Sequence, residues 1–205
     1  MSVRYVALGD SYTIGTSVEA AGRFPNQLVA SLANSVPLDL VGNLGVDGYT
    51  TTDLIRDELP VLPQLRPELV TLLIGVNDVV QGVPEATYER NAASILDTLL
   101  AGLPPDRIVT IAIPDYTVTP AGADYGDPDD QHDTIVANNT IMARLAAARG
   151  IAFVDIFDIS LLAADDRSLV ASDGLHPSAR QYERWVERLA PTVASLLTVD
   201  RNAGG

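Results

Sequence analysis

Five apolar runs of strand length, separated by stretches with helical spacing, constrain this chain more than any other feature: Val3 to Leu8, Leu38 to Val41, Leu69 to Ile74, Ile108 to Ile113 and Ile151 to Val154. Several are apolar at successive rather than alternate positions, the pattern of strands covered on both faces. Between them the period is helical. Tyr88, Ala92, Ile95, Leu96 and Leu99 fall on one face after Val83-Pro84-Glu85, where Pro84 suits a first turn. Helices are also expected over Pro25 to Leu32, Thr52 to Leu59 and about Asp133 to Arg149, with Ile135, Met142 and Leu145 turned to the sheet. The last segment places Tyr182, Trp185, Val186 and Leu189 on one face after Pro177-Ser178, and Pro191 is expected to kink or end that helix. Trp185 reads as a core anchor. This βαβ rhythm predicts an α/β fold with a parallel sheet between two helical layers.

The chain has 205 residues and no long linker, which fits one domain over residues 1–200 followed by a frayed tail, 201–205. Hydrophobic residues at 47% and charged residues at 20% are the mixture of a soluble globular protein. A formal net charge of −14 excludes a nucleic-acid partner, whose phosphates need basic neutralisation. All 13 basic residues are arginine, which closes Schiff-base and Walker A chemistry. Without cysteine there is no disulfide, thiolate ligand or thiol nucleophile. No uncharged apolar stretch approaches the roughly 18 residues of a spanning helix, so integral membrane contact is not expected. The N-terminus enters its first strand with no basic segment and apolar stretch ahead of it, and a cytoplasmic location is the expectation.

In an open parallel sheet, ligands bind where loops leave the carboxyl ends of strands, so motifs placed there carry the most weight. Gly9-Asp10-Ser11-Tyr12 directly follows the first strand. A serine hydroxyl is a poor nucleophile unless an imidazole takes its proton and a third group holds that imidazole in the right tautomer. The chain has two histidines. One stands in Asp173-Gly174-Leu175-His176, where a three-residue offset can set the carboxylate against Nδ1 and leave Nε2 to face Ser11. His132, in Asp129-Asp130-Gln131-His132-Asp133, lacks a comparable setting. After the third strand comes Gly75-Val76-Asn77-Asp78, and a carboxamide at Asn77 donates hydrogens to an oxyanion without carrying charge. After the second strand, Gly45 and Gly48 flank Val46-Asp47, and Gly48 can offer an unobstructed backbone N–H. Each motif has a plainer alternative: Ser11 or Asp10 as a helix cap, the glycines as turn residues, Asn77-Asp78 as a self-satisfied turn.

Together the four blocks, in this order and at this wide spacing, resemble the SGNH, or GDSL-type, hydrolase family from Val3 to about Leu196. The resemblance implies Ser11 as nucleophile, His176 as general base and acid, and Asp173 as the group orienting it. It further implies an oxyanion hole of the Ser11 N–H, the Gly48 N–H and the Asn77 side chain, and a three-layer αβα sandwich with a five-stranded parallel sheet in flavodoxin-like order. The expected activity is that of a cofactor-independent, metal-free serine esterase acting on small-molecule carboxylic esters of small or medium acyl groups through an acyl-enzyme. Tyr12, Tyr49, Val79, Val80, Tyr116 and Leu175 flank the motifs and are expected to wall the substrate pocket.

Three other readings compete. An α/β-hydrolase elbow needs Gly-x-Ser-x-Gly, and Thr13 stands where the second glycine belongs. A non-catalytic flavodoxin-like binding module shares the layer architecture, but receivers of that class use a lysine. Asp124, Asp127, Asp129, Asp130 and Asp133 form an acidic run without the EF-hand glycine and distal glutamate, and read as a solvated loop. That run belongs to a long segment, Pro114 to Asp130, expected to be a functional loop.

Overall fold

The computed structural model describes residues 2–202, with side chains up to residue 198. Its sheet has five parallel strands, β1 (Val3–Gly9), β2 (Leu38–Asn43), β3 (Leu69–Leu73), β4 (Ile108–Ile111) and β5 (Ala152–Val154), in the order β2-β1-β3-β4-β5. This is the flavodoxin-like order, in which the chain reverses direction across the sheet beside β1 and opens a crevice at the strands' carboxyl ends. β3 is buried along its whole length, as its unbroken apolar run requires. A buried polar pair lies within the sheet: the Thr71 hydroxyl is 2.7 Å from the buried Tyr5 hydroxyl.

The helices follow in chain order. α1 (Ser11–Ile14) is a single turn after β1, and α2 (Phe24–Leu32) leads to β2. α3 (Thr51–Asp53) runs into a π-helical turn, Leu54–Glu58, and is followed by α4 (Leu62–Leu65). α5 (Val76–Val80) and α6 (Glu85–Leu100) separate β3 from β4, and α7 (Pro128–Ala147) separates β4 from β5. α8 (Phe157–Leu161) and α9 (Ala179–Asn202) complete the chain. α2 packs on α9 on one side of the sheet, while α6 packs on α7 and α3 on the other. Among the described residues, no helix is long and apolar enough to cross a membrane.

Several boundaries differ from expectation for identifiable reasons. The helix expected from Asp133 starts at Pro128, because the Asp127 carboxylate accepts the N–H groups of Asp129 (3.0 Å) and Asp130 (3.2 Å) and Pro128 occupies the first turn. The acidic run is therefore partly a helix start, where carboxylates oppose the positive end of the dipole. The loop expected over Pro114 to Asp130 is shorter for the same reason. Among the described residues, no group of three or more acidic or histidine side chains is arranged to hold a metal ion.

Pro191 does not end α9, which continues to Asn202. Proline removes one helical hydrogen bond at a cost of about 3 kcal/mol, but Pro191 and Glu187 are both exposed, on the face of the helix where solvent can reach the freed carbonyl. Tyr182, Trp185, Leu189 and Val193, each at most 1% exposed, hold the helix on the core across the break. The tail expected from Arg201 begins inside this helix, and residues 203–205 lie outside the described residues.

Candidate active site

The turn that presents Ser11 is built around Gly9. Its φ is +149°, and a Cβ there would sit 2.0 Å from the Leu73 carbonyl oxygen, so only glycine lets β1 pass this close to β3 before turning. Asp10 caps α1 by accepting the Tyr12 N–H at 3.0 Å, which leaves Ser11 as the first helical residue, itself 6% exposed and with its N–H among the orphan donors of a helix start. Behind the turn, the Tyr182 hydroxyl of α9 donates to the Tyr12 carbonyl at 2.9 Å. The Asn43 carboxamide at the end of β2 donates to the Thr13 carbonyl at 2.9 Å.

At the far end of the chain, the Asp173 carboxylate lies 2.7 Å from Nδ1 of His176. It also accepts the N–H groups of Leu175 (2.9 Å) and His176 (3.0 Å) and the hydroxyl of Ser17 (2.7 Å). Burial alone would raise the Asp173 pKa; these donors outweigh it and hold the carboxyl down at about 2. The ion therefore persists through the neutral range. The Tyr12 ring packs tilted against the His176 imidazole with centroids 5.2 Å apart, which limits the ring's rotation.

Ser11 and His176 line one cavity of about 220 Å³, together with Tyr12, Asp47, Gly48, Val76, Asn77, Val80, Tyr116, Tyr125 and Leu175. Of the pocket residues expected from sequence, Tyr12, Tyr116, Leu175 and Val80 are thus on the wall. Tyr49 is not: its hydroxyl donates to Asp57 at 2.9 Å, which turns the ring away, and only its carbonyl faces Asn77. Val79 is also displaced from the expected role, being 7% exposed within the core, because on α5 the cavity-facing positions are Val76 and Val80, four residues apart. Asp47, Val76 and Tyr125 were not anticipated. Asp47 is shared with a wider open groove of about 770 Å³ lined by residues 14–19, Arg23 and 45–47.

The glycine pair of the β2 loop is resolved by sterics. A Cβ on Gly45 would lie 2.7 Å from both the Asp10 carbonyl and the Ile14 nitrogen, so Gly45 serves close packing against the serine turn. Gly48 has φ +82°, nothing within 4 Å of where a Cβ would be, and a place on the cavity wall. Asn77 lines the cavity and donates one carboxamide hydrogen to the Tyr49 carbonyl at 3.0 Å, a bond that uses one of its two amide hydrogens. Asp78, buried, accepts the Thr51 N–H at 2.8 Å and the Thr51 hydroxyl at 2.5 Å, bracing the loop after β2 against the loop after β3.

His132 departs from the sequence reading. It has an aspartate of its own: Nδ1 lies 2.6 Å from the buried Asp115 carboxylate, and its ring packs on Phe157 with centroids 5.6 Å apart. The pair is not on the Ser11 cavity. It ties the segment leaving β4, which supplies Tyr116, to α7.

A flavodoxin-like α/β protein with a serine on the first strand's exit loop and an Asp–His pair on the loop before its last helix defines a serine-hydrolase scaffold. Comparison with known proteins agrees. The model of the GDSL-like Lipase/Acylhydrolase family matches residues 7–184, and the chain belongs to that family. Esterase TesA of Pseudomonas aeruginosa is 23% identical over 192 residues, covering 94% of this chain and 88% of that protein. A multidomain esterase of Ruminococcus flavefaciens is 24% identical over 230 residues, 92% of this chain, which spans only 28% of that relative's length. Among solved structures, the lipase/acylhydrolase of Enterococcus faecalis superposes with a TM-score of 0.76 at 19% identity, covering 95% of this chain and 96% of that one. The acetyl xylan esterase variant Axe2-W215I of Geobacillus stearothermophilus superposes with a TM-score of 0.73 at 19% identity, covering 93% and 94%.

Proposed function

We propose that the protein is a cofactor-independent serine esterase that cleaves esters of short acyl groups through an acyl-enzyme. The supporting observation is that Ser11 and His176 face one small cavity while Asp173 holds the other nitrogen of the same imidazole. In this reading Nε2 of His176 takes the Ser11 hydroxyl proton as Oγ bonds to the ester carbonyl carbon, and the carbonyl π pair moves to oxygen. The Ser11 and Gly48 N–H groups and the free carboxamide hydrogen of Asn77 receive that charge. Collapse breaks the bond to the alcohol, which leaves with the proton from His176, and a water activated by the same imidazole then releases the acid. Every step uses the chain's own groups and water.

The preference for short acyl groups rests on size. A cavity of about 220 Å³ is below the roughly 300–1,000 Å³ of drug-sized pockets, and Tyr116 is fixed in its wall by a 2.7 Å hydrogen bond to Gln131. The test is covalent. A fluorophosphonate probe is expected to add its mass to Ser11 and to leave Ser11→Ala unmodified, and p-nitrophenyl acetate and butyrate are expected to turn over faster than the octanoate. Wild-type protein that stays unlabelled, with turnover that Ser11→Ala retains, would favour a binding module instead.

A further inference from the structure

Ser17 has an unusual backbone conformation and lies outside the proposed triad and oxyanion hole. It stands third in the turn Gly15-Thr16-Ser17-Val18, closed by the Val18 N–H to the Gly15 carbonyl at 3.2 Å. Its φ is +63°, one of two positive values among the described residues that are not glycine. Turns that need a positive φ at this position ordinarily take Gly or Asn, because a Cβ is strained there. Ser17 is exposed, so packing does not explain the side chain. What the side chain does have is a 2.7 Å hydrogen bond from its hydroxyl to Oδ2 of Asp173, the same oxygen that faces Nδ1 of His176 at 2.7 Å.

We infer that Ser17 is a positioning residue of the catalytic machinery, its hydroxyl fixing the Asp173 carboxylate so that Oδ2 presents to His176 in a single orientation. The other carboxylate oxygen is already held by the N–H groups of Leu175 and His176, which fix Oδ1 but leave the tilt of Oδ2 to its own partners. Ser17 supplies the second of those partners from the opposite end of the chain, 156 residues away. It thereby ties the loop that carries the acid and base to the segment that carries the nucleophile. Backbone strain kept at such a place is what a functional constraint looks like, since glycine would relieve it at no steric cost. The inference rests on the serine-esterase reading.

The substitutions that test it separate strain from hydroxyl. Ser17→Gly removes the hydroxyl and relieves the backbone; Ser17→Thr keeps the hydroxyl and adds a β-branch that strains the turn further, with room for the methyl at an exposed site. With p-nitrophenyl acetate, Ser17→Gly is expected to melt no lower than wild type yet lose about tenfold in kcat with KM within about twofold, a loss of about 1.4 kcal/mol. Ser17→Thr is expected to melt lower and to keep at least about a third of kcat, so that activity follows the hydroxyl and stability follows the backbone. A glycine variant with wild-type kcat, or two variants whose activities simply track their melting temperatures, would overturn the assignment. Wild-type turnover abolished in Ser11→Ala shows in the same experiment that the esterase reading stands even where this inference falls.

Discussion

Asn77→Ala is the sharpest probe of how this site is proposed to stabilise charge. The carboxamide has two hydrogens, and one is committed to the Tyr49 carbonyl at 3.0 Å. That bond fixes the amide plane, so in the proposed mechanism the remaining hydrogen is preorganised for the oxyanion before substrate arrives. Removing one such oxyanion donor typically costs about 2.7–4 kcal/mol of transition-state stabilisation, which at about 1.36 kcal/mol per decade is roughly a hundred- to a thousandfold in kcat. The cost to the fold is smaller. A side-chain hydrogen bond contributes about 0.5–1.5 kcal/mol net, and the half-buried Tyr49 carbonyl can be partly resolvated. The expected result with p-nitrophenyl acetate is therefore a kcat lower by at least about a hundredfold, KM nearly unchanged, and a midpoint of urea unfolding close to wild type. Fluorophosphonate labelling, monitored in parallel, should slow in proportion. If kcat stays within about threefold of wild type while the protein remains folded, Asn77 does not bind the oxyanion and its role reduces to holding the Tyr49 loop.

Two further predictions concern the frame around Ser11. Gly45→Ala should lower the melting temperature more than Gly48→Ala, because the first Cβ meets backbone atoms at 2.7 Å while the second meets open space and carries only the strain of φ +82°; thermal melts that rank them the other way would reverse the assignment of the two glycines. Asp10 and Glu58 lie buried beside the serine turn, where burial pushes their pKa values up to about 8 and about 9. Both therefore keep a proton in the folded state that the unfolded chain releases above about pH 4–5, so stability is lost as pH rises from there toward 8–9. Asp10→Asn and Glu58→Gln, which retain the acceptors for the Tyr12 and Gly9 N–H groups, should flatten that decline in melts from pH 5 to 9, and a wild-type-like slope in the double variant would refute the claim.

How much of this was legible in the sequence depends on how local the cause is. The sheet was, because an uninterrupted apolar run such as Leu69 to Leu73 leaves a strand covered on both faces as its natural fate. The Asp173–His176 pair was, since its geometry is set by a three-residue turn. The onset of α7 was obscured by the acidity of Asp129 and Asp130, although Asp127-Pro128 is a cap and first-turn residue in plain view. Val76 and Val80 could have been separated from Val79 by helical spacing once α5 was recognised. Tyr49 could not: its direction is decided by Asp57, on the π-helical turn that follows α3. Nor did any local signal point to Asp115 as the partner of His132, or to Tyr125 and Asp47 on the cavity, since each depends on where a distant segment comes to rest.

In the proposed mechanism the motifs divide their residues between chemistry and bracing, and this explains why each is longer than its reactive atom requires. In Gly9-Asp10-Ser11 the glycine permits the approach to β3 and the aspartate caps the turn, leaving one residue for the reaction. In Gly75-Val76-Asn77-Asp78 the asparagine faces the cavity while the aspartate holds Thr51 on the neighbouring loop through two bonds. Asn43 ties the end of β2 to the serine turn, Tyr182 supports that turn from α9, and Ser17 reaches the acid of the last loop. The loops leaving β1, β2 and β3 and the loop before α9 are thus cross-linked by side chains into one rim. A hydroxyl and an imidazole 165 positions apart in the chain can cooperate only if that rim is rigid to a fraction of a hydrogen-bond length, which the sheet beneath cannot ensure alone because Ser11, Asn77, Asp173 and His176 all lie beyond the strand ladders.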